Sequence, residues 1–165
     1  MILKIKNDYY RQTTSFFDFE NPPIDPVKIM NDLTDTMIAN GAVGLSANQV
    51  GIPYSVFVMG NPLERDGILC MFNPVIVNMS GLVHKIEETC ISEPGIKIKV
   101  PRSETIRFRA ANWNNIIETT TFNGLSSRIF QKQYDILNGL TIFSRVSRLR
   151  RDRAVRQRRK SGGEE

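Results

Sequence analysis

The chain has 165 residues, 24% of them charged and 41% hydrophobic, with two cysteines, one histidine and a formal net charge of +5 at pH 7. That length suffices for one compact domain with its own core, two cysteines are too few for a disulfide framework, and no run approaches the roughly 20 apolar residues of a membrane helix. The chain does not open on a charged segment followed by an apolar run and a small-residue cleavage site, so a cytoplasmic protein with reduced Cys70 and Cys90 and no membrane partner is expected.

In chain order, Pro22-Pro23-Ile24-Asp25-Pro26 reads as a rigid loop. Ile29, Leu33, Met37 and Ile38 then recur at helical spacing, which predicts an amphipathic helix over residues 27–40 with Asp25 as its cap. Apolar runs at 54–59 and 68–72 predict strands, and Asn73-Pro74 separates the second from a third run at 75–79. Ile106, Phe108 and Ala110 alternate with Arg107 and Arg109, whose side chains should face water. Asn114-Asn115 then turns a hairpin into residues 116–122. Residues 126–137 read as a central helix stopped by Asn138-Gly139. The pattern is α+β.

The last segment carries the charge. Residues 145–165 hold nine Arg and Lys against three Asp and Glu, which leaves residues 1–144 at −1. The expected organisation is a body over 1–144 and a basic C-terminal helix and tail over 145–165. Arg145, Arg148, Arg150, Arg151, Arg153, Arg156, Arg158, Arg159 and Lys160 are its candidate polyanion-binding residues, with Val146, Leu149 and Val155 as a thin apolar stripe. Ser161-Gly162-Gly163-Glu164-Glu165 reads as a flexible end. Arginine's planar fork of donors suits phosphate, so RNA or the ribosome is the expected partner, with an acidic protein surface as the alternative.

Three motifs stand in register: Ala42-Val43-Gly44-Leu45-Ser46-Ala47-Asn48-Gln49, then Glu88-Thr89-Cys90-Ile91-Ser92, then Gln131-Lys132-Gln133-Tyr134-Asp135-Ile136-Leu137-Asn138-Gly139. Together they resemble the motifs Gly-x-Gly-Leu-Ala-Ala-x-Gln, Glu-Gly-Cys-Leu-Ser and Gln-His-Glu-x-Asp-His-Leu-x-Gly of peptide deformylase, the metal hydrolase that removes the formyl group from the initiator methionine. Val100-Pro101-Arg102 and the segment from Ile2-Leu3 to Arg11 also sit where that family has similar segments. The resemblance implies mostly antiparallel sheets around a central helix. Ala42, Ser46 and Thr89 depart from the family pattern, and so do Lys132, Gln133 and Ile136, which stand where it has His, Glu and His.

In the family an iron or zinc ion is held by the motif-two cysteine and the two helix histidines, and the glutamate activates its water. By that implication Cys90, Lys132 and Ile136 are the former ligand positions and Gln133 the former base. Only Cys90 keeps a ligand atom. A lysine ammonium repels a divalent cation, isoleucine has no lone pair, and a neutral amide cannot take a proton from water near neutral pH. His84 offers no substitute, because six residues of extended chain put it about 20 Å from Cys90. The expectation is therefore no cofactor, no functional catalytic residue and a polar groove in place of the site.

Gly44, Gln49, Cys90 and the backbone N–H of Ile91 match the substrate-holding positions and could keep a vestigial pocket for a nascent peptide. Gln49 could equally serve packing, and Cys90 could be a buried thiol or, beside Lys132, a nucleophile. Glu88 and Asp135 are candidate counter-charges for Lys132, although the resemblance also pairs Glu88 with Arg102, and Glu93 is an acid where the family has an apolar residue. The leading expectation is a catalytically degenerate, non-hydrolytic binding or structural module acting through its basic helix. An active deformylase with atypical ligands and a structural component of a viral or other assembly are the alternatives.

Overall fold

In the computed structural model, residues 1–6 and 9–160 are described, Lys160 by its backbone alone. The end expected to be flexible, Ser161 to Glu165, and the Lys160 side chain lie outside the described residues. Helix α1 spans Pro26–Ala39. Asp25 caps it, its carboxylate accepting from Val27 N at 3.0 Å, and Pro26 takes the first helical position, where no N–H is needed. Ile29, Leu33 and Met37 are buried beneath it with Phe17, Leu45, Val56, Val58 and Phe72.

Among the described residues seven strands follow in two antiparallel sheets. Strands β1 (Gly44–Ser46), β2 (Val56–Met59), β3 (Leu69–Met79), β6 (Thr105–Ala111) and β7 (Ile117–Asn123) form a five-stranded sheet in the order β1-β2-β3-β6-β7. Strands β4 (Val83–Cys90) and β5 (Glu93–Ser103) form a separate two-stranded ribbon. Hairpin β6–β7 turns at Asn112 to Ile116 with Asn115 at φ 60°, and Arg107 and Arg109 are exposed, as the alternation predicts.

The two strands predicted at 68–72 and 75–79 are one. Strand β3 runs through Asn73-Pro74 and absorbs them as a shift of register against β6 between Phe72 and Val75. Asn73 tolerates φ 48°, and its side-chain amide brackets the backbone of Phe17, accepting from its N at 2.7 Å and donating to its O at 2.9 Å. A bulge excuses Pro74 from the ladder, which is why a residue pair that reads as a break only bends the strand.

Helix α2 spans Gly124–Leu137 and is central, touching β1 and β2 along one flank and β5, β6 and β7 along others. It ends at Asn138 and at Gly139, whose φ of 71° and approach to the Arg11 carbonyl admit no side chain: an added Cβ meets that oxygen at 2.7 Å. The N-terminal segment crosses this end, with Thr14 N donating to Leu137 O at 2.8 Å. The C-terminal helix α3 spans Arg148–Lys160, beginning after a single 3₁₀ turn at Ile142–Arg145, and lies on β5. No helix among the described residues is long and apolar enough to cross a membrane.

Candidate functional site

Helix α2 aims Gln133, Ile136 and Lys132 toward the place where β1, the 3₁₀ turn at Ala47–Val50 and the start of β5 meet. Gln133 is 1% exposed, and its Oε1 accepts from Ser46 Oγ at 2.8 Å. The same hydroxyl lies 3.2 Å from the Gln133 carbonyl. The Gln133 amide lies directly over Gly44, where an added Cβ comes within 2.6 Å of Nε2. The close approach that glycine permits at position 44 is made by the chain's own glutamine.

Gln49 is equally engaged. Its Oε1 accepts from Ser46 N at 3.0 Å, and its Nε2 donates to Ser92 Oγ at 2.8 Å with Cys90 Sγ at 3.9 Å. This geometry fits the packing alternative for Gln49, since both ends of the amide satisfy groups of the motifs themselves. Cys90 is 6% exposed and packs with Tyr10, Ile96, Ile98, Ile136 and Ile142. The second thiol, Cys70, lies in the other core, where burial pushes its pKa up.

Lys132 takes neither counter-charge considered for it. Its ammonium donates to Thr89 O at 2.6 Å, because both carboxylates are already taken by arginines. Glu88 receives Arg102 at 2.6 and 2.9 Å, as expected, and also Arg128 at 2.6 Å. Arg102 reaches on to Asp135 at 2.8 Å, and Arg145 closes on the other side of Asp135. Three guanidiniums and two carboxylates thus form one chain of charge beneath the site, with Arg102, Glu88 and Asp135 all buried. Arg145 is committed to this chain and not to the outer face on which a polyanion contact was expected.

Behind Lys132 and Ile136 the interior is closely packed. Tyr10, Cys90, Ile136 and Ile142 converge with Lys132 and Asp135, and the space they bound has no volume for a water molecule. Above it, Tyr10 donates through its hydroxyl to Glu93, and Arg11 reaches the same carboxylate at 3.0 Å. Burial and this bond push the Tyr10 pKa up to about 12. Glu93, an oddity in sequence, is the anchor of the N-terminal segment. Asn48 completes the closure by donating to Tyr10 O, Gln12 O and Ile136 O at 3.3, 3.1 and 2.6 Å.

His84 stands apart, 3.3 Å from Glu104 and half exposed at the far end of β4. Ile91 is half-buried beside the first core. Tyr10, Arg11, Asn48 and Arg128 were not singled out in sequence. Only Asn48 lies inside a motif, and the others act through contacts remote along the chain.

On α3, Ala154 is the buried residue, set among Ile96, Ile98 and Val100, with Val146 and Val155 beside it. Leu149, expected in the apolar stripe, is 75% exposed. Arg148, Arg150, Arg151, Arg153, Arg156 and Arg159 are exposed, Arg151 lying over the Phe143 ring at 5.4 Å, while Arg158 is half-buried against Gly95.

Residues 1–152 match the family described as Polypeptide deformylase. A peptide deformylase of Aquifex aeolicus is 33% identical over 135 residues, 80% of this chain and 79% of its own length. One from Thermotoga petrophila is 34% identical over 75% of this chain and 74% of its own. The crystal structure of a peptide deformylase from Legionella pneumophila superposes with a TM-score of 0.84 at 27% identity, covering 98% of this chain and 96% of that one.

These matches overturn the expectation of no cofactor, because the family they identify uses iron or zinc. The three positions that the motif resemblance sets at its ligands, however, present a thiol at Cys90, an ammonium hydrogen-bonded to a carbonyl at Lys132 and a hydrocarbon at Ile136, and these do not fit such an ion. Among the described residues no group of three or more His, Cys, Asp or Glu side chains converges as a metal site.

Proposed function

The chain belongs to the polypeptide deformylase family, and we propose that this member binds without hydrolysing, holding RNA through its basic C-terminal helix in the cytoplasm. The observation that carries the first half is the state of Gln133. A general base must be able to accept a proton, and its help is worth about 10² to 10⁴-fold. The Gln133 amide is neutral, and its oxygen is occupied by the Ser46 hydroxyl.

The second half rests on charge. Six arginines of α3 are exposed on one 13-residue helix, over a body that sums to −1. Arginine forks bind phosphodiester oxygens, and such binding weakens steeply with salt.

The test measures formate release from a formyl-methionyl peptide, with iron or zinc supplied, for the natural chain and for Lys132→His/Gln133→Glu/Ile136→His. Turnover in the substituted chain alone is expected. Turnover by the natural chain at rates abolished by Cys90→Ser would establish the second reading, an active deformylase with atypical ligands, which the retained Cys90 beside Gln49 favours. RNA binding is read separately by fluorescence anisotropy at increasing salt.

A further inference from the structure

Helix α3 does not stand alone as a basic element. Along its flank, Arg150 and Arg153 face Lys85, Lys97 and Lys99 of the β4–β5 ribbon across a groove of about 340 Å³, floored by Ile98 and Ala154. Among the described residues Glu87 is its only acidic lining residue. Among the described residues none of the five cations is in an ion pair, whereas the arginines beneath the site are all paired. The strand lysines alternate with Ile96, Ile98 and Val100, which are buried, so the register that seats α3 on the ribbon also presents Lys97 and Lys99 outward.

Resting on the RNA reading above, we propose that this groove is the phosphate-binding track, and that its ligand is the backbone of an RNA duplex. Among the described residues these five cations, in no ion pair, and one acid give a local surplus that matches a run of phosphates on one strand. Among the described residues the lining contains no aromatic side chain on which an unstacked base could rest. Sequence-independent recognition of a duplex by its backbone follows, with no preference for single strands.

The experiment titrates the full chain with a fluorescent RNA duplex of about 16 base pairs, a length that spans two grooves, at several salt concentrations. The natural chain is expected to bind the duplex and a scrambled duplex alike, and both more tightly than a single strand of equal length. Lys85→Ala/Lys97→Ala/Lys99→Ala should reduce the log–log salt slope by up to about 0.9 for each lost phosphate contact. Glu87→Gln should tighten binding a few-fold, and Arg107→Ala/Arg109→Ala, on the other sheet, should leave it unchanged.

Two outcomes separate the ideas. If the natural chain binds no RNA at low salt, the RNA reading and the groove fall together. If it binds and Arg156→Ala/Arg159→Ala weakens it while the triple lysine variant keeps affinity and slope, the groove is overturned and the helix reading stands. Circular dichroism on each variant assigns any loss to binding and not to unfolding, because all the substituted side chains are exposed.

Discussion

Ser46 and Gln133, 87 residues apart, meet through a 2.8 Å hydrogen bond in the core of the site. Both depart from the motifs that surround them, and each departure supplies what the other requires: a buried amide oxygen needs a donor, and a buried hydroxyl needs an acceptor. Ser46→Ala should therefore cost about 1–3 kcal/mol by leaving that oxygen unsatisfied, measured by urea denaturation. Near-zero loss would mean that the pair carries no weight in the fold.

Gly44 shares that contact. Gly44→Ala forces a Cβ to within 2.6 Å of the Gln133 amide, so the amide must leave Ser46. The substitution should destabilise the natural chain by more than it destabilises Gln133→Ala, where the obstacle is gone. Equal losses in the two backgrounds, read as a double-mutant cycle, would refute the coupling.

The buried charges predict a contrast between neighbours on one carboxylate. Arg102 is enclosed between Glu88 and Asp135, whereas Arg145 approaches Asp135 from a side chain that is 46% exposed. Arg102→Leu should cost about 3–5 kcal/mol, because it removes the buried cation that Glu88 and Asp135 share and leaves each with a single arginine, Arg128 and Arg145. Arg145→Leu should cost at most about 1 kcal/mol, water taking its place. Thermal unfolding of the two variants checks the order.

Tyr10 predicts an alkaline dependence. Its phenol ionises near 10 when unfolded and near about 12 in the folded chain, so the folded state favours the neutral form. The stability it contributes is complete below pH 10 and is lost as pH rises from 10 to 12. Cys70, also raised by burial, adds alkaline loss to any variant that retains it. The informative quantity is thus the difference between the natural chain and Tyr10→Phe, which should shrink across that window. A constant difference would refute the assignment.

Much of the architecture could be read from the residues. Asp25 marked the start of α1, Asn114-Asn115 and the arginine alternation marked β6–β7, and Asn138-Gly139 marked the end of α2. Asn73-Pro74 misled, because local turn chemistry cannot report whether a neighbouring strand will accept a bulge. At the site, the unusual residues at 46, 93, 132, 133 and 136 were visible one by one, but their partners were not. Ser46 finds Gln133, Glu93 finds Tyr10 and Arg11, and Lys132 finds a backbone carbonyl in place of an acid. Leu149 was misassigned because helical spacing alone does not say which flank docks, and Ala154, small enough for close contact with β5, decides it.

The strap from Tyr10 to Thr14 has a consequence for how the molecule is made. Its partners include Leu137 and Asn138, which leave the ribosome more than a hundred residues later. Until they emerge, Met1 and Leu3 can already settle on α1, but Thr13 and Thr14 lack the carbonyls that fasten the strap. A chain arrested before residue 138 should therefore be cut by protease near Thr13 and Thr14, while one released after that point resists there.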